Sequence, residues 1–271
     1  MDADRFSNQQ HLLNDQYRDS RKLEARVALH QRFSTNRHGW HRWVFEHLRV
    51  PDGGRVLELG CGPGLLWRDR RVPESWKVTL SDFSPGMLEQ ARENLAAYDG
   101  FDFRLIDAQE IPTDDDSFDA VIANHMLYHL PDRERALAEI RRVLTPAGRF
   151  YAATNGAEHL RELEPFYRIL DPGHRRMTEP FNLENGVGQL SSHFASVEVE
   201  RYPDALVITE AEPLVAYILS TLTAVNAEPE RLPVLRSAIV EELSEHGAIR
   251  VSKSTGLFQA HGLRGEPAAG S

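Results

Sequence analysis

The chain has 271 residues, enough for one α/β domain with an accessory region, and its 41% hydrophobic and 27% charged residues are the balance of a globular protein. A formal charge of −10 argues against a nucleic-acid partner, because the nearest basic stretch, Arg68 to Arg71, is short and split by Asp69. The single cysteine, Cys61, excludes an internal disulfide and a cysteine-based zinc site; with no apolar leader and no run of about 20 apolar residues, the expectation is a cytoplasmic protein that does not enter a membrane.

From about Gln9 to Ser34, Leu12, Leu13, Tyr17, Leu23, Val27 and Phe33 recur among charges at helical spacing, which predicts an amphipathic arm with a break. WHRWVFEHL then predicts a helix with Trp40, Trp43, Val44 and Leu48 on its apolar face, stopped by Pro51, Gly53 and Gly54. At Arg55 the pattern changes to short apolar runs, RVLEL, KVTL, FDFRLI, FDAVIAN and GRFYAAT, separated by helix candidates beginning near Leu65, Ser84 and Asp132. Such alternation predicts a parallel sheet covered on both faces. Beyond Asn155 come a helical segment (AEHLRELEPFYRIL), a Pro- and Gly-rich loop, VEVERY and ALVIT around a turn at Pro203 and Asp204, and two more helix candidates. AIRVSK and GLFQAH are expected to close the sheet as late strands. The expected division is a helical arm or lid over 1–50, an α/β cofactor core over 51–156, a C-terminal region with helical covering insertions over 157–263, and a flexible tail over 264–271.

The stretch VLELGCGPG, Val56 to Gly64, is an apolar strand running into glycines on alternate positions. A tight strand-to-helix turn of this kind lets a nucleotide approach the backbone closely. Leu65 stands where a dinucleotide-binding GxGxxG turn needs its third glycine, and Leu65, Leu66 and Trp67 replace the GK[ST] ending of a nucleoside-triphosphate loop. A plain structural loop is the remaining alternative.

With Glu58, Gly60, Gly62 and Gly64 in the form E/DxGxGxG, the chain resembles the class I S-adenosylmethionine-dependent methyltransferases, in particular the methyltransferase type 11 group related to ubiquinone and menaquinone C-methylases. The resemblance runs through Asn155. It implies an α/β fold with a doubly wound, mostly parallel, seven-stranded Rossmann-like sheet, and S-adenosyl-L-methionine as cofactor. It further implies that Asp82 accepts the ribose hydroxyls, with capping of the next helix as the alternative. Phe83 and Met87 would flank the adenine, core packing being an equal use for Met87. Asp107 and the backbone N–H of Ala108 would meet the adenine, Asn124 the methionine part, and Tyr17 of the arm is counted among the cofactor contacts.

His125, Tyr128 and His129 follow the fourth strand at the carboxyl edge of the sheet, where open α/β sheets place ligands. They are the candidates for catalysis: an imidazole near neutral pKa suits removal of a proton from the acceptor. The interval between His125 and His129 resembles a zinc spacing, but no third ligand is evident and no metal is expected; His129 has an alternative use in fixing the Leu-Pro-Asp turn. The acidic run Asp114 to Asp116 reads as a solvated turn. Trp40, Phe166 and Tyr167 are expected to cover and bind the substrate, or else to complete the core or a contact in a homo-oligomer. The expected reaction moves a methyl group to an O, N or C atom of a small-molecule acceptor. A non-catalytic cofactor-binding module and a nicotinamide-dependent oxidoreductase are the alternatives.

Overall fold

In a computed structural model of the chain, the structure describes residues 21–68, 70–176, 178–221 and 229–263. Tyr17 and the tail at 264–271 lie outside the described residues. Two helices, α1 (Arg21–Phe33) and α2 (Trp40–His47), precede β1 (Arg55–Leu59). The core continues through β2 (Lys77–Asp82), α3 (Pro85–Asn94), β3 (Phe101–Leu105), β4 (Phe118–Asn124), α4 (Arg133–Val143) and β5 (Leu144–Asn155). Then follow α5 (Glu164–Leu170), α6 (Gly186–Leu190), β6 (Phe194–Arg201), β7 (Ala205–Ile208), α7 (Ala211–Ser220), α8 (Leu232–His246), β8 (Ile249–Ser252) and β9 (Thr255–Leu263).

Seven strands form one sheet in the order β3-β2-β1-β4-β5-β9-β6. The first five run parallel, and β9 is antiparallel to both β5 and β6. The expected count of seven strands holds, but its membership differs. AIRVSK does not join: β8 pairs with β7 in a separate two-stranded ribbon, while VEVER supplies the far edge as β6. The ribbon strands bury Leu206, Ile208, Ile249 and Val251 against helices rather than against the sheet, so period-two alternation could not tell which sheet they serve.

Each face of the sheet carries its own core. Along β5, Phe150 and Ala152 pack on one side with Leu137, Ile140 and Val143 of α4, while Tyr151 and Ala153 pack on the other with Leu88 and Ala91 of α3. Ser84 caps α3 by accepting the Met87 N–H at 3.3 Å, with Pro85 in the first turn, and Asp132 caps α4 by accepting from the Arg135 N–H at 3.0 Å. The helix expected near Leu65 is instead a run of turns over 62–68. Only about two helical turns separate Leu65 from Pro73, and the Trp67 indole is held inward by Glu58.

A third core lies apart from the sheet. It joins Leu29 and Phe33 of α1 to Phe166 and Leu170 of α5, Leu214 and Ile218 of α7, Leu235 and Ile239 of α8, and the ribbon. A buried ion pair locks the arm to it: Asp204, ahead of β7, takes Lys253 Nζ and Ser34 Oγ at 2.5 Å each and the Asn36 N–H at 2.9 Å. This cap stands over the carboxyl edge of the sheet. The strand order reverses between β1 and β4, and the crevice at that switch point is where a ligand enters such sheets.

Candidate active site

Between cap and sheet edge lies a cavity of about 990 Å³, at the upper end of the ~300–1,000 Å³ usual for small-molecule sites. Its floor at one end is the glycine turn. Gly60, Gly62 and Gly64 have φ of +66°, +54° and +76°, the left-handed region that a side chain rarely adopts. A Cβ on Gly60 would stand 2.9 Å from Met126 Cβ, whereas one on Gly62 would meet only Leu23 Cδ2 at 3.9 Å, so the backbone there is bare toward the cavity. Gly64 does not line the cavity; a Cβ on it would approach Leu95 Cδ1 to 2.8 Å, and its role is to let the turn pack beside α3.

Two carboxylates are buried at this turn. Asp82 ends β2 and is only 6% exposed, not the surface-edge group that its place at a strand end suggests. Its Oδ2 accepts from the Gly62 N–H at 2.9 Å and its Oδ1 from the Ser84 N–H at 2.8 Å. Helix capping falls to Ser84, so Asp82 holds the glycine turn in place; burial nevertheless raises its pKa against the pull of these bonds. A carboxylate has about four lone-pair sites, which leaves acceptor capacity for hydroxyl groups. Glu58, 1% exposed, accepts the Trp67 indole N–H at 2.6 Å, and burial pushes its pKa up to about 7.

Along the same wall lie Phe83 and Met87, the latter fully buried, and Ala108. Asp107 stands at the exposed rim, its Oδ1 taking the Gln109 N–H at 2.9 Å. Asn124, the last residue of β4, lines the cavity with a buried Oδ1 that has no hydrogen-bond partner among the described residues. A buried unmet acceptor costs about 1–3 kcal/mol, which marks a position built for a donor from a ligand. These features fit a nucleoside with an amino-acid tail: a bare backbone, two carboxylates, an open acceptor and apolar walls.

At the other end, His125 sits at φ +58°, its N–H bonded to Ala153 O at 3.1 Å. That backbone turns its ring 5.3 Å from Trp40 and 6.5 Å from Tyr128. Burial, reinforced by the charges of His41, Lys253 and His129, holds its imidazole down at about 3. It is therefore neutral at physiological pH and a weak proton acceptor, which removes the reason for expecting it to be the base. His129 closes a 3-10 turn with its N–H on Met126 O at 2.9 Å, its ring 4.4 Å from that of Tyr128. Trp40 lines the cavity with an indole nitrogen that finds no partner among the described residues. Tyr167 lines it as well, but Phe166 does not: one position earlier on α5 it points about 100° away, into the third core.

Several lining residues carried no local signal. His30 comes from α1, His159 from the loop after β5, and Lys253 from the turn between β8 and β9. Arg176 donates to Glu164 Oε1 at 2.9 Å and to the carbonyls of Ala157 and His159. Glu179 also faces the chamber. The one hint in sequence was polar and aromatic residues crowded between 157 and 180, where a covering helix alone would not need them. Among the described residues no group of three or more His, Cys, Asp or Glu side chains is placed to hold a metal, and no helix is long and apolar enough to cross a membrane.

Comparison with known proteins bears on the segment around this turn. The family model for a methyltransferase domain matches residues 57–152. The ubiquinone/menaquinone biosynthesis C-methyltransferase UbiE of Desulfotalea psychrophila is 38% identical over 112 residues, 41% of this chain and 45% of that protein. Methyltransferase GfsG of Streptomyces halstedii is 36% identical over 115 residues, 41% of each chain. The chain thus spans less than half the length of these curated relatives. In fold, it superposes on phosphoethanolamine N-methyltransferase 2 of Haemonchus contortus in complex with S-adenosyl-L-methionine with a TM-score of 0.60 at 20% identity, covering 95% of this chain and 60% of that one. The glycine turn and strands β2, β3 and β4 all lie within the segment, 57–152, that the methyltransferase-domain model matches.

Proposed function

We propose that the protein transfers a methyl group from S-adenosylmethionine to an O, N or C atom of a small-molecule acceptor. The observation that carries this reading is one continuous cavity that begins at the bare glycine turn with its two carboxylates and extends past Asn124 to an aromatic, imidazole-rich chamber under the cap. The backbone at Gly60 and Gly62, the carboxylate of Asp82, the Asp107–Ala108 segment and Asn124 would hold the cofactor. When bound, it supplies a methyl group already activated by a positively charged sulfur. The chain's own task is then orientation, and a well-aligned pair of reactants contributes about 7–11 kcal/mol of the barrier.

His125 and Tyr128 stand beside Asn124 and orient the acceptor, while the Trp40 ring offers a cation about 0.5–2 kcal/mol. The cap covers this end of the cavity. A binding module without turnover needs only the nucleotide end, so the chamber beyond Asn124 favours the enzyme. An oxidoreductase is disfavoured by Leu65 at the third glycine position.

Titration calorimetry tests the reading: S-adenosylmethionine and S-adenosylhomocysteine should both bind, and Asp82→Asn should weaken each by about 1.5–3 kcal/mol, as for a hydrogen bond to a charged group. Binding of NAD in place of both would overturn it.

A further inference from the structure

Carboxylates under the cap differ in what neutralises them. Glu164 has Arg176 at 2.9 Å and His174 at 3.0 Å, and Asp204 has Lys253. Glu179 lines the same cavity, yet among the described residues no cation lies within ion-pair distance of it. Its Oε1 accepts from Asn155 Nδ2 at 3.3 Å. The Asn155 amide is itself fixed, because its Oδ1 takes the Thr255 hydroxyl at 3.1 Å. Its Oε2 lies 3.5 Å from Thr154 Oγ1, but that hydroxyl has a single proton and a closer acceptor in Phe181 O at 2.9 Å. The carboxylate is thus held by uncharged donors of Asn155 and Thr154 alone, with no cation paired to it among the described residues. The anchor is also well placed: Asn155 ends β5 two residues beyond Ala153, which pairs with Asn124 and receives the His125 N–H.

Resting on the methyl-transfer reading, we propose that Glu179 is the catalytic base, taking the proton from an acceptor that attacks through an O–H or N–H group. As the lone pair of the acceptor atom forms its bond to the methyl carbon, the sulfur–carbon bond breaks with its electrons retained on sulfur, giving neutral S-adenosylhomocysteine. The acceptor's proton passes to Glu179. The positive charge of the sulfonium and the negative charge of the carboxylate disappear together, and the acceptor remains neutral. Burial pushes the Glu179 carboxyl up to about 7, the range in which a general base combines availability with proton affinity. The charge that reaches it is that of Arg176 on its own loop; the Tyr217 phenol of α7, pushed up to about 12 by burial and by the charge of Glu179, is neutral, and β5 contributes only the uncharged Thr154 and Asn155.

The test compares the two cofactor forms, which differ in the sulfonium charge. A carboxylate beside that charge ionises when S-adenosylmethionine binds but not when S-adenosylhomocysteine does. Calorimetry at pH 7 in buffers of different ionisation enthalpy should therefore show up to about half a proton more released with S-adenosylmethionine, since a group titrating near 7 is half protonated there. The difference should vanish at pH 9, be abolished by Glu179→Gln, and survive Glu58→Gln, which removes the other carboxyl near 7. If Glu179→Gln retains the difference, or if both ligands bind the wild type with equal proton release at pH 7, Glu179 is not the base. If neither ligand binds, it is the methyl-transfer reading that fails.

Discussion

Glu58→Gln isolates what it costs the fold to keep a carboxyl beneath the glycine turn. Glu58 is raised from 4.5 to about 7, chiefly by burial, with the Trp67 indole pulling the other way and the charge of Asp82 adding to the rise. At about 1.36 kcal/mol per unit, this is about 3 kcal/mol of pH-dependent stability. The folded state binds the proton more tightly than the unfolded state does. The contribution is therefore complete below pH 4.5 and is lost as pH rises through about 7. The glutamine keeps the acceptor for the indole and has nothing to ionise. Urea unfolding of both proteins at pH 5 and pH 8, extrapolated to water, should show the variant gaining about 2–3 kcal/mol on the wild type between the two conditions. Other titrating groups cancel in that difference. A gap between the proteins that stays constant from pH 5 to pH 8 would refute the reasoning and mean that water reaches the carboxylate.

His125→Gln should lower turnover yet leave the acidic limb of the pH–rate profile where it was between pH 5 and 9, because an imidazole held at about 3 is already neutral there; a displaced limb would restore His125 as the base. Lys253→Met should destabilise the protein by about 3–5 kcal/mol by denaturant unfolding, because it strands Asp204, whose side chain is 0% exposed; adding Asp204→Asn should recover part of the loss, and a single variant as stable as wild type would show the pair to be dispensable.

The parallel core was legible because its signals are local. Continuous apolar runs such as FDAVIAN mark strands buried on both faces, and Ser84-Pro85 and Asp132 announce helix starts within a few residues. That Gly60, Gly62, Asp82 and Asn124 line one end of the cavity was legible for the same reason: they lie at the ends of β1, β2 and β4, neighbours in the sheet, and topology alone brings those ends together. Gly64 was over-read, since one glycine pattern serves both close ligand approach and close packing. The far end of the cavity was not legible. His30, Glu179 and Lys253 meet only through tertiary packing of segments more than 70 residues apart, and no spacing rule links them. Nor does sequence report desolvation, which turns His125 from a plausible base into a neutral hydrogen-bonding group and brings Glu179 into the useful range.

The arm before the first strand and the segment after the fifth are stitched together by Asp204, which binds Ser34, the Asn36 N–H and Lys253, and by the backbone link from Thr35 N–H to Ala205 O at 2.9 Å. The cap wall of the cavity is thus encoded at two distant places in the sequence, on either side of the motif-bearing core. A recombination that exchanges only one of them would import half a seam, leaving a buried aspartate without its serine and backbone donors or a helix without its ribbon. Chimeras of this fold should cross over twice, near residues 36 and 157, carrying both flanks from one parent and the nucleotide-binding middle from the other.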